Sequence, residues 1–212
     1  MSRIGIFTGD FRFYHEVIAI AKEWGLPFLS IDPMETIPTD VPVIVSTSDD
    51  YKIDPSQIFI DDPYRALRTA LPRLIDQISF KRIVIGIDPG PKPGIAIVCD
   101  DILTEALEIP ELKLLEAYLV KVLSDYPYGS YSIRLGNGDK PNRLRISDML
   151  KRNGLYFSVV DESNTTIFRH RPQNNAIAAA VIGLARHRIE VSYGKKHENF
   201  LDSRFVTIRN SI

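Results

Sequence analysis

Residues 82–101 read RIVIGIDPGPKPGIAIVCDD and decide the fold of the larger part of this chain. The apolar runs IVIGI and IAIV predict two strands, and the turn formers DPGPKP between them predict a tight reversal stiffened by prolines. Asp88 closes the first run, where a carboxylate is either a turn residue or the beginning of a site. The rest of the chain decides between these two interpretations.

The composition is that of an ordinary globular protein. The chain has 212 residues, of which 44% are hydrophobic and 25% charged, with a net charge of −1. These values exclude a disordered protein and predict one domain plus a smaller one. The single cysteine, Cys99, excludes an intramolecular disulfide or a cysteine-based zinc cluster and favours a reducing compartment.

Nothing in the hydropathy of the sequence predicts a signal peptide or a membrane-spanning segment. The N-terminus lacks the pattern of a signal peptide, and the longest apolar run, residues 176–185, is too short to span a bilayer. We therefore expect a cytoplasmic protein with no membrane partner.

Charge is distributed unevenly along the chain. Residues 32–62 hold eight acidic residues and one basic residue, whereas residues 131–172 hold eight basic and four acidic residues. A basic segment is expected where phosphates bind, although solvated helix faces explain it equally well. The acidic segment is a candidate surface for a protein partner.

Residues 1–60 predict a small α/β domain. The segments RIGIFT, LPFLSID, VPVIVST and QIFI predict strands, and the first is followed by a helix with Asp10 as its N-cap and Gly25 as its stop. The turn TGD could hold a phosphate at the helix N-terminus. A structural or partner-binding module is the favoured interpretation, because one glycine is a weak signal.

Residues 61–80 predict a linker helix, with Pro63 in its first turn and a kink at Pro72. Residues 81–212 then predict a second domain with elements in the order β-β-β-α-β-α-β-α. Its first hairpin turns at Asp100-Asp101, and a C-terminal extension adds an edge hairpin. The expected class is thus α/β: a mixed sheet, whose element order resembles that of RNase H-like domains, preceded by a small α/β unit.

Four segments within residues 82–188 resemble the RuvC/YqgF branch of the RNase H-like superfamily. IGIDPGPKPGIAIV resembles the opening motif of that branch, and VVDESNTT (159–166) resembles its fifth-strand motif. IRLGNGDKPN (133–142) is similar to the Gly-Asn-Gly segment of the YqgF-like domain of the transcription accessory protein Tex. NNAIAAAVIG (174–183) is similar to the closing helix of the family.

The resemblance implies a metal site formed by carboxylates from separate strands. Asp88 and Glu162 are its predicted catalytic residues and metal ligands, at the ends of neighbouring strands, with Mg²⁺ or Mn²⁺ offsetting their repulsion. Adjacent strand residues face opposite ways, so only one of Asp161 and Glu162 can face the site, and the family motif selects Glu162.

The third ligand position departs from the family, because Asn174-Asn175 replaces an aspartate. Asn175 could coordinate a metal through its carbonyl oxygen, but it brings no charge. Asp139 or Asp100 could supply the missing carboxylate. This departure favours an eroded nuclease site, and an inactive protein would need no cofactor.

The favoured interpretation is an RNase H-like nucleic-acid-binding protein with an eroded nuclease site, binding DNA or RNA. One alternative is an active Mg²⁺-dependent nuclease that hydrolyses phosphodiesters in structured DNA or RNA. Another is a protein-interaction scaffold, with the N-terminal domain contacting a protein partner. An actin-like ATPase is disfavoured, since it needs a second domain. Oligomeric state is not defined. The predicted nucleic-acid contacts are Lys92, Lys140, Arg143, Arg145, Arg169 and Arg171.

Overall fold

The computed structural model describes residues 1–160, 175–184 and 188–193. The chain forms two compact units. The first comprises Met1–Phe80 together with Val122–Pro127, and the second comprises Lys81–Lys121 and Tyr128–Ile212. The predicted domains 1–60 and 81–212, with a linker at 61–80, concern independently folding regions and stay a prediction.

The first unit contains a four-stranded, fully parallel sheet in the order β2-β1-β3-β4. Strands β1 and β3 lie at its centre and are buried along their whole length. Its elements are β1 (Ile4–Ile6), α1 (Phe11–Glu23), β2 (Phe28–Ser30), β3 (Val43–Ser46), β4 (Gln57–Phe59), α2 (Pro63–Ala70) and a 3-10 helix (Leu71–Ile75).

The ends of α1 confirm the predicted signals. The Asp10 carboxylate accepts hydrogen bonds from the backbone N–H groups of Arg12, at 2.8 Å, and Phe13, at 3.0 Å. Gly25 follows the helix with a φ of 65°, the left-handed conformation that glycine adopts without strain. Phe13 and Val17 then face the core formed with β1 and β3.

The predicted linker helix is divided at its second proline. Asp62 caps α2 and Pro63 occupies its first turn, as expected. The α-helix ends at Ala70, and a 3-10 helix with Pro72 in its first turn continues the chain. The kink predicted at Pro72 is therefore confirmed as a change of helix type.

A buried ion pair lies in the interior of the first unit. Arg68 of α2 and Asp125 lie with their side chains 1% and 5% exposed, and Arg68 Nη1 donates to Asp125 Oδ2 at 2.9 Å. The guanidinium also lies 5.6 Å from the ring centre of Tyr64 and 5.7 Å from that of Tyr126. Asp125 belongs to the segment 122–127, so two distant parts of the chain meet here.

The second unit contains a six-stranded mixed sheet in the order β10-β9-β8-β5-β6-β7. The predicted α/β class is confirmed, with a mixed sheet in the element order β-β-β-α-β-α-β-α behind a small α/β unit. Its elements are β5 (Phe80–Asp88), β6 (Gly94–Cys99), β7 (Ile102–Glu108), α3 (Leu112–Asp125), β8 (Tyr128–Gly136), α4 (Lys140–Arg152), β9 (Phe157–Val160), α5 (Asn175–Leu184) and β10 (Arg188–Tyr193). The first residue of β5 and the last four residues of α3 belong to the first unit.

The hairpin between β6 and β7 turns where the sequence indicated. Asp100 and Asp101 have φ angles of 43° and 75°, the conformation of a two-residue hairpin turn. At the other edge of the sheet, β10 pairs antiparallel with β9. The second half of the predicted edge hairpin, RFVTIRN, lies outside the described residues.

None of the described helices combines the length and the apolar character needed to cross a bilayer.

Candidate nucleic-acid interface

Three strands of the second unit end along one border of the sheet, which we call the carboxyl edge (Asp88, Gly136 and Val160). Strands β8 and β9 are parallel. Strand β5 lies beside β8, and both strands begin at the opposite border, because Ser130 Oγ donates to the Lys81 carbonyl at 3.2 Å. Parallel neighbours of equal length end together, so the loops that follow these strands converge at the carboxyl edge.

Asp88 is the last residue of β5 and pairs with Gly94, the first residue of β6. Its side chain is half-buried, and the turn between the two strands carries the exposed Lys92. Pro89 and Pro93 are buried and fix the two sides of this turn. The predicted ligand and the predicted phosphate contact therefore occupy the same part of the carboxyl edge.

The Gly-Asn-Gly loop after β8 leads directly into α4. Asp139 is the N-cap of α4 and accepts hydrogen bonds from the backbone N–H of Asn142 at 3.1 Å and from its Nδ2 at 2.9 Å. Arg143 Nη1 donates to the Asn137 carbonyl at 2.5 Å and also contacts the Asn137 side-chain oxygen. The carboxylate of Asp139 thus stabilises the helix start, and its role as a metal ligand stays a prediction.

The remaining basic residues of α4 are open to solvent. Lys140, in the first turn, and Arg145 are exposed, while Arg143 is half-buried against the loop. The N-terminus of α4 faces the carboxyl edge, because the helix begins four residues after β8 ends. Two of the predicted phosphate contacts are therefore available at this edge.

Helix α5 packs very closely on β5 through Gly86. A methyl group at Gly86 would lie 2.1 Å from the Ala179 carbonyl oxygen and 2.6 Å from the Gly183 nitrogen. Ala179 and Ala180 form an apolar cluster with Ala96 of β6. The small residues of α5 thus allow the backbone of the helix to approach the sheet closely.

The register of these contacts fixes the direction of α5. Gly183 lies beside Val98 of β6, since its ideal Cβ would be 3.7 Å from that side chain. One turn earlier, Ala179 packs with Ala96, two residues earlier in β6. The first residue of α5 lies one turn before Ala179 in the helix. Gly94, the partner of Asp88, lies two residues before Ala96 in β6, which is a similar distance. The N-terminus of α5 therefore lies level with Asp88.

Asn175 is that first residue, so the backbone of the predicted third ligand position is beside the carboxyl edge. The orientation of its side chain lies outside the described residues, as do Glu162, Asn174 and the predicted contacts Arg169 and Arg171. Among the described residues, no three His, Cys, Asp or Glu side chains form a group that could hold a metal ion.

Asp100 lies at the opposite end of the β5–β6 pair from Asp88, too far away to share a metal site with it. Its carboxylate accepts hydrogen bonds, both of 2.9 Å, from the backbone N–H groups of Lys81 and Arg82. Six residues of extended β5 separate Arg82 from Asp88, or about 20 Å. The idea that Asp100 replaces the missing carboxylate is therefore wrong, because the two-residue turn that Asp100 forms belongs to the opposite border of the sheet.

A buried arginine holds the other end of α5 and was missed in the sequence. Arg134 of β8 is 7% exposed and donates from Nη1 to the Gly183 carbonyl at 2.6 Å. Carbonyls in the last turn of a helix lack partners within the helix, and a cation is favourable there. The signal was available, since SYSIRLG places one arginine between the apolar residues Ile133 and Leu135 of a predicted strand.

Comparison with known proteins adds information on the first unit. A family model for a response regulator receiver-like domain matches residues 3–74. No curated protein gave a significant match.

Two solved structures also match, both of Marinitoga piezophila Argonaute. The complex with a 5' OH guide RNA shares 11% identity, covering 76% of this chain and 39% of that chain, with a TM-score of 0.28. The complex with guide RNA and target DNA shares 13% identity over the same proportions, with a TM-score of 0.27. This chain thus spans about two fifths of the length of the Argonaute chains.

None of these matches is to a RuvC or YqgF protein, so that resemblance rests on the motifs of residues 82–188. The chain is therefore similar to a receiver-like domain over its first third, and the fold of its larger unit is defined by its own strand order.

Proposed function

We propose that this chain is an RNase H-like nucleic-acid-binding protein of the RuvC/YqgF type with an eroded nuclease site. The observation that carries the proposal is the convergence of Asp88, the Gly-Asn-Gly loop and the N-termini of α4 and α5 at the carboxyl edge. We also propose a cytoplasmic location, which suits a chain whose single cysteine, Cys99, is buried.

The carboxyl edge suits a phosphate backbone for two reasons. Helix N-termini present backbone N–H groups and a partial positive charge, and two of them begin at this edge. Exposed lysine and arginine side chains lie in the turn after β5, at position 92, and in the first two turns of α4, at positions 140 and 145. Cations of this kind position a nucleic acid without reading its sequence.

Erosion of the nuclease site is supported by Asn174-Asn175, where the family has an aspartate. The aspartate of the family would add a third carboxylate to the predicted metal site. An amide oxygen still coordinates, but it does not neutralise a divalent cation. A chain that has an amide in place of the carboxylate at this position is expected to retain nucleic-acid binding and to lose phosphodiester hydrolysis.

Active Mg²⁺- or Mn²⁺-dependent cleavage is the second candidate, and the placement of Asp88 favours it. Asp88 closes a central strand at the border of the sheet where β9 also ends. Two carboxylates that share a site are stabilised by a bound metal. In that case Asp88 and Glu162 would hold the metal, with Asn175 or Asp139 completing the site.

A scaffold that binds a protein partner through its first unit is the third candidate. The match of residues 3–74 to a receiver-like domain favours it, because that unit carries no part of the carboxyl edge. This role is compatible with nucleic-acid binding by the second unit.

The binding proposal is tested with charge changes at the two ends of one helix. Lys140→Glu alters the first turn of α4 at the carboxyl edge, and Arg152→Glu alters the exposed last residue of the same helix. Affinity for single-stranded DNA, RNA and branched DNA is measured by fluorescence anisotropy at several salt concentrations. The binding constant K falls as salt rises, and each lost phosphate contact reduces the magnitude of the slope of log K against log salt by roughly 0.7 to 0.9. We expect this change for Lys140→Glu and none for Arg152→Glu. Equal effects of the two variants, or no binding by the wild-type protein, would refute the interface.

The same nucleic acids, incubated with Mg²⁺ or Mn²⁺, separate the first two candidates. We expect no cleavage by the wild-type protein and unchanged binding by Asp88→Asn. Cleavage that disappears in Asp88→Asn would establish the active nuclease instead.

A further inference from the structure

In the first unit, side chains of the chain itself lie where open α/β sheets commonly bind ligands. In its parallel sheet, the chain leaves β1 towards β2 on one side and returns to β3 on the other. Open α/β sheets bind ligands in the crevice outside the carboxyl ends of such strands, where the strand order reverses. Here the crevice lies between the loop after β1, residues 7–10, and the loop after β3, residues 47–50.

The carboxylate of Asp50 lies between these two loops. Its Oδ1 accepts a hydrogen bond of 2.7 Å from the Gly9 backbone N–H, 41 residues away in the sequence. Its Oδ2 accepts bonds from Thr47, at 2.8 Å from the backbone N–H and 2.7 Å from Oγ1. The hydroxyls of Thr8 and Thr47 lie 3.3 Å apart and complete the contact. Two oxygens of one anion thus join both loops.

The neighbouring N–H groups are also occupied by carboxylates of the chain. Asp10 accepts from the first turn of α1. Asp61 accepts from the Ser48 backbone N–H at 2.7 Å and from its Oγ at 3.0 Å. The donors that an incoming anion would use are therefore already satisfied on both sides of Asp50.

The ionised form of Asp50 is the form that these contacts favour. Burial alone would raise the pKa of Asp50, but hydrogen bonds from the backbone of Gly9 and from Thr47 and Thr8 outweigh it and lower that pKa. Charge-assisted bonds of this kind are stronger than bonds between neutral groups.

We propose that Asp50 is a built-in latch, whose carboxylate stands where a bound anion would stand and holds the two loops in one arrangement without any ligand. The first unit then works as a fixed module. Phosphate and phosphorylated ligands are excluded from its crevice for as long as Asp50 is in place. This inference is independent of nucleic-acid binding by the second unit.

Hydrogen exchange in the full-length chain tests the latch. Asp50→Ala removes both acceptor oxygens, so the Gly9 and Thr47 amides are expected to exchange at least about tenfold faster than in the wild-type protein. Asp54→Ala is the matched control. The Asp54 carboxylate also accepts a backbone and a hydroxyl bond, but both come from Ser56, within its own loop. We expect Asp54→Ala to leave Gly9 and Thr47 unchanged.

Chemical rescue gives the second measurement. Acetate or inorganic phosphate added to Asp50→Ala should slow exchange at Gly9 and Thr47, while neither anion should change the wild-type protein. If Asp50→Ala does not fold, Asp50→Asn is used, because its amide nitrogen must face either the Gly9 or the Thr47 N–H and cannot accept from it. Unchanged protection of Gly9 in the variant that folds, the same loss of protection in Asp54→Ala, or phosphate binding by the wild-type protein would overturn the latch.

Discussion

At the scale of single residues, Gly86 has the strictest requirement in the second unit. It sits in the central strand opposite Ala96, and backbone atoms of α5 occupy the space where a side chain would be. A backbone cannot move aside as a flexible side chain can. The close packing of α5 on the sheet therefore requires glycine at position 86, because its side chain is a single hydrogen atom.

Gly86→Ala is expected to lower the free energy of unfolding by about 3 kcal/mol or more, because overpacking against a fixed backbone forces the helix away from the sheet. Urea denaturation followed by circular dichroism measures the effect. Gly183→Ala is the control, since its methyl would lie 3.5 Å from Gly86, which is ordinary contact distance. That substitution should be neutral or slightly stabilising, as alanine favours the helix by about 1 kcal/mol over glycine. Equal destabilisation by both would contradict the asymmetric contact.

At the scale of elements, the buried pair of Arg68 and Asp125 joins α2 to the end of α3. Desolvation of two charges opposes such a pair, so it stabilises a fold only when its geometry and its other contacts are good. Here the guanidinium also lies near the rings of Tyr64 and Tyr126. Removing one partner leaves the other charged and buried.

Single variants Arg68→Met and Asp125→Leu are each expected to lower the unfolding free energy by about 3–5 kcal/mol. The double variant should cost much less than the sum of the two, since no unpaired charge remains. Arg3→Met, which breaks the half-exposed pair with Asp40, is the control and should cost far less than either single variant, because solvent screens that pair. Additive effects in the double variant would show that Arg68 and Asp125 do not depend on each other.

The elements were largely predictable, because their signals are local. Asp10, Gly25, Pro63 and the Asp100-Asp101 turn act within a few residues of their own positions, and the structure bears each of them out. The apolar alternation of the strands likewise depends only on neighbours.

What the sequence could not reveal depends on the pairing of distant residues. Gly9 meets Asp50 across 41 positions, and Arg68 meets Asp125 across 57. No periodicity encodes such contacts. The positions of Asp88 at the end of β5 and of the loop after β8 were predictable, whereas the capping role of Asp139 and the distance of Asp100 from Asp88 required three-dimensional geometry.

At the scale of the whole molecule, the first unit is built from two separate parts of the chain. Residues 1–80 supply its sheet, and residues 122–127 add Asp125 and Tyr126. A boundary drawn after residue 80 would therefore leave the first unit incomplete, although every strand of its sheet would be present.

A fragment of residues 1–80 is expected to be unstable, because Arg68 would lose its buried partner. Arg68→Met in the same fragment should restore much of the lost stability, since methionine fills similar space without a charge. Thermal unfolding by circular dichroism compares the two fragments, with Arg65→Met, an exposed residue of the same helix, as the control. A fragment that is stable without any substitution would contradict a structural role for residues 122–127.

The two-part construction also sets an order of events during synthesis. The strands and helices of residues 1–80 leave the ribosome first, yet the charge of Arg68 stays unmatched until Asp125 has been added. Contacts of such long sequence separation form late and slow the folding of the part that waits for them. The nascent N-terminal region would therefore remain open to chaperones and proteases until the β5–β6–β7 meander and α3 have been made.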